Sequence, residues 1–226
     1  HGVRVVFGVP GYQLYHATDA LHGEPDIRFI TTRHEQAAAY MAYGYSRTGG
    51  GMGTAMVVPG PGLLNATAAI GTAYSASTSM LIVSGQIPRD LQGFNRGELH
   101  EVDDQLDCVR PITKWAARID DPRGIPDAVQ EAFRHLNTGR PRPVEIEMPL
   151  DTLAEAADVD LPEPEVHRRE AADGESVAEA ARLLTAAERP VIWAGSGVFS
   201  SRASGPLERL AEHLQAPVVT TSEGKG

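Results

Sequence analysis

Glu35 is the residue of this chain best placed to do chemistry. It stands in Arg33-His34-Glu35-Gln36-Ala37-Ala38-Ala39-Tyr40-Met41-Ala42, at the mouth of an alanine-rich helix, and is followed by the loop Pro59-Gly60-Pro61-Gly62-Leu63-Leu64-Asn65. An acid in a first helical turn is favoured by the helix dipole in any protein, and that plain reading stands beside a chemical one. A carboxyl sheltered from water holds its proton more tightly and can donate a proton as well as accept one. The small side chains of Ala37, Ala38, Ala39 and Ala42 permit a close, dry approach by another surface. The Gly60-Pro61-Gly62 loop permits a tight turn with no side chain in the way of a planar ring. Together they point to a flat heterocyclic cofactor.

The other chemistry-bearing residues form weaker patterns. Gly195-Ser196-Gly197-Val198-Phe199-Ser200 carries two glycines of a dinucleotide fingerprint with Ser200 in place of the third, and reads as a strand-to-helix turn. His34 and His100 each adjoin a glutamate, whereas His135 and His213 read as surface residues of helices. No histidine pair has the spacing of a zinc site. Ser46, Ser75 and Ser84 lack the setting of a nucleophile elbow. The single cysteine, Cys108, has no partner for a disulfide or a CxxC motif, and reads as a small apolar residue at least half-buried.

The elements that must position these residues follow from hydrophobic period. Strands at Val3–Val9, Ile27–Thr31, Thr54–Val58 and Met80–Ser84 alternate with helices at Gln13–Leu21, His34–Arg47 and Leu63–Tyr74. That rhythm predicts an α/β fold with a doubly wound, mainly parallel sheet. A helix beginning at Pro126 places Val129, Ala132, Phe133 and Leu136 on one face and closes at Gly139, and strand Val144–Met148 follows. Residues 149–175 read as a linker. Ser176-Val177-Ala178-Glu179 reads as a capping box opening a second, Rossmann-like α/β unit, with strands Pro190–Ala194 and Pro217–Thr221 around helix Leu207–Leu214. In open α/β sheets ligands bind beyond the carboxyl ends of the strands. Four segments fall at such ends: Val9-Pro10-Gly11-Tyr12, Arg33-His34-Glu35, Pro59-Gly60-Pro61-Gly62 and Gly85-Gln86.

With 226 residues, 42% of them hydrophobic, the chain can fill one core and begin another. Its net charge of −10 is concentrated in residues 151–188, so the acidity belongs to a connector. No basic footprint for nucleic acid is present, and no apolar run has a membrane-spanning length. The expected compartment is the cytoplasm.

The ordered set Phe7-Gly8-Val9-Pro10-Gly11, Arg33 to Ala38, Ala42-Tyr43-Gly44-Tyr45-Ser46-Arg47, Pro59 to Asn65, Ser84-Gly85-Gln86, Thr113-Lys114-Trp115 and Gly139-Arg140-Pro141-Arg142-Pro143-Val144 resembles thiamine-diphosphate enzymes of the acetolactate synthase and pyruvate oxidase type. The resemblance implies a pyrimidine-binding domain over residues 1–150, a linker over 151–175, and the first part of a central domain over 176–226. It implies that Glu35 is the catalytic acid, hydrogen-bonded to the aminopyrimidine and favouring its imino tautomer. Pro10, Gly11, Gly60, Pro61, Gly62, Asn65 and Gln86 are the implied cofactor-binding residues.

The implied reaction is decarboxylation of a 2-oxo acid with carboligation. The alternatives are a decarboxylase, oxidase or acetyltransferase for another 2-oxo acid or aldehyde, of benzoylformate or sulfoacetaldehyde type. A non-catalytic flavodoxin-like binding module is the alternative from another class. Tyr12, His100 and Glu101 are substrate-side candidates. Tyr12 stands where acetolactate synthases usually carry glycine, and Leu99-His100-Glu101 stands about where they carry Phe-Gln-Glu. The family holds the diphosphate and Mg2+ with a Gly-Asp-Gly segment that these 226 residues lack, so no metal ligand is expected in this chain and the chain by itself is expected to be inactive. A homodimer or tetramer with the site at the subunit interface is implied, and FAD in the central domain is left open.

Overall fold

A computed structural model describes residues 1–167 and 171–225. The chain divides into two compact units, His1–Arg169 and Glu170–Gly226.

The first unit is built on strands β1 (Val5–Gly8), β2 (Arg28–Thr31), β3 (Thr54–Val57), β4 (Met80–Gln86), β5 (Trp115–Arg118) and β6 (Pro143–Pro149). They form one six-stranded sheet in the order β2-β1-β3-β4-β6-β5. Every neighbouring pair is parallel. The order reverses between β1 and β3, which opens a crevice beyond their carboxyl ends.

Side chains alternate across the sheet and fill a core on each face. Phe7, Ala55, Val57, Met80 and Ile82 face α2 (Glu35–Arg47) and α3 (Pro61–Ser75), whose Ala38, Ala39, Ala42, Ala66, Ala69 and Ala73 allow close packing. Val6, Met56, Val58, Leu81, Val83, Val144 and Ile146 form the other core, with Leu14 and with Phe133 and Leu136 of α5 (Ile125–Asn137). The alanines expected to leave room for another surface are thus mostly spent inside the unit. Ala38, Ala39 and Ala42 are fully buried between α2, α3 and the sheet, and Ala37 alone of the four is exposed.

Several expectations are corrected. The first helix is preceded by a 3-10 turn at Tyr12–Leu14, so α1 runs Tyr15–His22. The segment after β4 contains α4 (Gln105–Val109) and edge strand β5, both too short to carry a period. Cys108 is exposed, because α4 turns Gln105, Leu106 and Val109 inward. His135 is half-buried and stacks on Trp115 at 5.5 Å. Residues 149–175 are not wholly irregular, since Pro149 ends β6 and α6 spans Leu150–Ala154.

Lys114 ties Thr113-Lys114-Trp115 to the Gly139 turn, its Nζ lying 3.6 Å from where a Cβ at Gly139 would stand. Its ammonium donates to the carbonyl oxygens of His135 (2.8 Å), Thr138 and Arg140 (3.2 Å), satisfying carbonyls of the last turn of α5, its C-cap and the turn that follows.

In the second unit, α7 (Gly174–Ala186) is capped by Asp173, whose carboxylate accepts from the Ser176 N–H at 2.8 Å. The expected capping box at Ser176 and Glu179 is therefore displaced, and Glu179 instead pairs with Arg182. Strands β7 (Ile192–Ala194) and β8 (Val218–Thr220) are parallel. The turn after β7 leads into α8 (Gly197–Ser200), and α9 (Ser204–Leu214) follows. Among the described residues no helix is long and apolar enough to cross a membrane.

Candidate functional site

Glu35 is the first residue of α2, directly beyond β2. His34 caps the helix, its Nδ1 accepting the Gln36 N–H at 3.1 Å. The His34 ring therefore has a local structural occupation. Asn65, in the second turn of α3, donates its amide to Glu35 Oε2 at 2.9 Å. No described hydrogen bond reaches Glu35 Oε1, which lies 3.6 Å from where a Cβ at Gly62 would stand. In the single chain Glu35 is half-buried, less sheltered than the sequence led us to expect.

The loop beside it is a type II′ turn. Gly60 has φ 55° and ψ −117°, the geometry of the first central position, and the Gly62 N–H reaches the Pro59 carbonyl at 3.2 Å. A side chain at Gly60 is excluded twice, by the positive φ and by the His100 carbonyl 2.3 Å from its Cβ position. Pro61 then starts α3, where its missing N–H costs nothing. Gly11 comes equally close to the end of β3, its Cβ position lying 2.3 Å from Val58 Cγ1. Pro10, Gly11, Glu35, Gly60, Pro61, Gly62 and Asn65 thus gather around the carboxyl ends of β1, β2 and β3.

His100 also belongs to this edge. Its Nδ1 lies 3.0 Å from Gln13 Oε1, and Gln13 Nε2 donates to the Leu99 carbonyl at 2.9 Å. Tyr12 is exposed and meets Tyr15 edge to face. Two predicted residues have other occupations. Glu101 Oε2 accepts the N–H groups of Gly97 (2.7 Å) and Glu98 (3.0 Å), closing its own loop. Gln86 is buried, with Nε2 on Glu147 (3.1 Å) and Oε1 accepting the Ile87 N–H (2.8 Å).

Residues 1–108 match the family model described as thiamine pyrophosphate enzyme, N-terminal TPP binding domain, and residues 177–226 match that of the thiamine pyrophosphate enzyme, central domain. The chain belongs to the thiamine pyrophosphate enzyme family. It is 38% identical over 232 residues to a probable acetolactate synthase large subunit of Methanocaldococcus jannaschii, taking in 100% of this chain and 39% of that protein. It is 38% identical to a probable 2-ketoarginine decarboxylase of Pseudomonas aeruginosa, with 100% of this chain and 40% of that protein covered. An acetolactate synthase large subunit of Lactococcus lactis is 35% identical, with 100% and 39% covered. The chain therefore spans about two fifths of the length of these relatives.

In a thiamine pyrophosphate enzyme the fit of these residues to a flat heterocycle can be tested on the geometry. A carboxylate with one oxygen anchored by Asn65 and the other unengaged can meet a ring nitrogen. The glycines at 11, 60 and 62 keep side chains off the same face. For a metal there is no comparable fit, as no group of three His, Cys, Asp or Glu side chains comes together among the described residues.

Sequence reasoning missed three residues of this region. Gln13, Gln105 and Glu147 are buried polar groups at the same sheet edge. In the sequence they look like ordinary surface residues, and the available signal was parity. Val144, Ile146 and Met148 fill one face of β6, which obliges Glu145 and Glu147 to point to the other, where Glu147 meets Gln105 of α4.

Proposed function

We propose that this chain is the aminopyrimidine-binding part of a thiamine-diphosphate-dependent enzyme that decarboxylates a 2-oxo acid and joins the remaining fragment to a second carbonyl, as in acetolactate synthesis. The observation that carries this reading is Glu35 at the exit of β2, with Oε2 held by Asn65 at 2.9 Å and Oε1 unengaged. Bound thiamine diphosphate supplies the nucleophilic carbon on which a 2-oxo acid can lose carbon dioxide. Glu35 Oε1 would hold a proton towards the ring nitrogen of a bound pyrimidine, while Asn65 fixes which oxygen faces it. The Pro59–Gly62 turn and Gly11 form the smooth wall against the ring. Tyr12 and His100 stand towards the substrate, and Glu101 orders the loop that carries His100.

On this reading the diphosphate and Mg2+ are held by residues outside this chain, and a second copy of the protein completes the site in a dimer or tetramer. Tyr40 and Met41 on the second turn of α2 and Leu64 on the first turn of α3, 39–43% exposed, support such a partner surface. The expected compartment is the cytoplasm, and FAD in the central domain is an accessory whose presence the absorbance of the purified protein reads.

The test uses the complete gene product. Carbon dioxide release that depends on thiamine diphosphate and Mg2+ is measured with pyruvate and with bulkier 2-oxo acids. Glu35→Gln is expected to lower kcat by about 10²–10⁴-fold, the usual range for losing a positioned acid–base group, without loss of folding. Near-native turnover in that variant refutes the assigned role. A second reading, decarboxylation of a longer 2-oxo acid, is favoured by the relation to the 2-ketoarginine decarboxylase at 38% identity. An enzyme inert to pyruvate but active on a bulkier acid establishes it in place of acetolactate synthesis.

A further inference from the structure

Behind the Pro59–Gly62 turn lies a buried polar network for which the proposed reaction has no direct use. Its centre is Gln105, 3% exposed at the start of α4. Gln105 Oε1 accepts the Gly60 N–H at 2.7 Å. Its Nε2 lies 3.0 Å from the Gly85 carbonyl, 2.9 Å from Glu147 Oε2 and 3.2 Å from Ser84 Oγ. The orientation of the amide is settled by its partners, since the Gly60 N–H can only donate and the Gly85 carbonyl can only accept. Behind Gln105, Glu147 also takes Gln86 Nε2 at 3.1 Å, and Ser84 bonds Glu145 Oε1. Both glutamates are fully buried.

The Gly60 N–H at this position of a type II′ turn points away from the turn's own hydrogen bond. Gln105 is its described partner. The turn starts α3, and α3 presents Asn65 to Glu35.

We infer that Gln105 is a positioning residue: its buried amide ties the Gly60–Pro61 turn to Glu147 and Ser84 in the sheet, and thereby sets where α3 begins and where Asn65 holds Glu35. The link from Gln105 to Gly60 stands on geometry alone, and its consequence for the cofactor rests on the function proposed above. Burial supports the arrangement by raising the proton affinity of Glu147 and, more strongly, of Glu145, with Ser84 acting against it at Glu145 and Gln86 and Gln105 acting against it at Glu147.

The test compares the wild-type complete protein with Gln105→Leu and Gln105→Glu. Hydrogen exchange is read by mass spectrometry at residue level over 59–65, with α5 as an internal control. Gln105→Leu removes the acceptor, and the Gly60 amide is expected to exchange about tenfold faster while α5 is unchanged. Gln105→Glu keeps an oxygen for that N–H but sets a second acceptor against the Gly85 carbonyl and Glu147, so exchange is expected to fall between wild type and Gln105→Leu. In the same Gln105→Leu protein the dissociation constant for thiamine diphosphate should rise about tenfold, with substrate KM at saturating cofactor unchanged, a split that general destabilisation does not produce.

Unchanged Gly60 exchange in a folded Gln105→Leu protein overturns the inference. If that variant fails to fold, the wild type decides, because an unprotected Gly60 amide there is equally fatal and a protected one upholds the link. Faster exchange in a protein whose wild type binds no thiamine diphosphate upholds the tie between Gln105 and the turn and rejects the proposed function instead.

Discussion

Replacing Glu145 by glutamine should change the pH dependence of stability in a direction that the buried network dictates. Glu145 is 0% exposed, its Oε1 is bonded by Ser84, and its Oε2 has no hydrogen-bond partner. Desolvation drives its proton affinity well above the ordinary value of 4.5, the Ser84 bond opposes that, nearby Glu147 adds to it and Arg110 opposes it. In the unfolded chain the same carboxyl ionises near the ordinary value. The folded state therefore holds a proton that the unfolded state has released, and stability falls as pH rises. The favourable contribution is complete below about 4.5 and is lost as pH climbs towards and through the folded value. While that window is open, the slope is about 1.4 kcal/mol per pH unit for this one group. Glu145→Gln cannot ionise and removes that slope, while Glu147 is present in both proteins and cancels to first order. Denaturant unfolding of wild type and variant, run in parallel from about pH 5 upward, should show the variant gaining on wild type as pH rises above the ordinary carboxylate value. In the infrared, the carbonyl stretch of a protonated carboxylic acid should persist in the wild type above pH 4.5 and be weaker in the variant, where Glu147 alone of the pair remains. A stability difference independent of pH across this range would refute the reasoning, since it would mean that Glu145 ionises in the folded protein as it does in water.

Asn65→Ala should leave folding intact, because Asn65 is exposed, yet weaken thiamine diphosphate binding by about tenfold through loss of the bond to Glu35, as read by cofactor titration. Gly60→Ala places a Cβ 2.3 Å from the His100 carbonyl at a positive φ. It should cost about 1–3 kcal/mol and depress cofactor affinity more than Gly44→Ala, where a Cβ meets nothing within 4 Å. Lys114→Met should destabilise the first unit by about 1.5–3 kcal/mol, because three carbonyls from the last turn of α5 to Arg140 lose a charged donor, and a denaturation midpoint equal to wild type would contradict that.

The alternation of short β-branched runs with helical periods was enough to read the parallel sheet, and glycine and proline placement was enough to locate the turns at its carboxyl edge. These signals are local, and the structure realises them locally. The position of Glu35 at a strand exit was legible because the strand before it and the helix after it are both read from neighbours in sequence. Gln105 and Glu147 were not, because a glutamine in a five-residue helix and a glutamate in an alternating strand look solvent-facing until β6 is inserted between β4 and β5. The alanine stripe of α2 was legible as a small-residue surface, but the partner it packs against is α3, a fact that only the tertiary arrangement supplies. Capping of α7 was misplaced by three residues for a similar reason, since Asp173, Ser176 and Glu179 all carry capping chemistry and sequence alone does not choose among them.

The position of β6 also bears on biosynthesis. Strand β4 is one of the two longest of the sheet, and its free side is completed only by β6, after the whole of Ile87 to Arg142 has been made. At about 5–20 residues per second, that interval lasts on the order of several seconds. Throughout it a nascent β1–β4 sheet shows the unpaired edge of a seven-residue strand, a ready template for a neighbouring chain on the same polysome. Heterologous expression should accordingly favour slow growth at low temperature or added chaperone capacity.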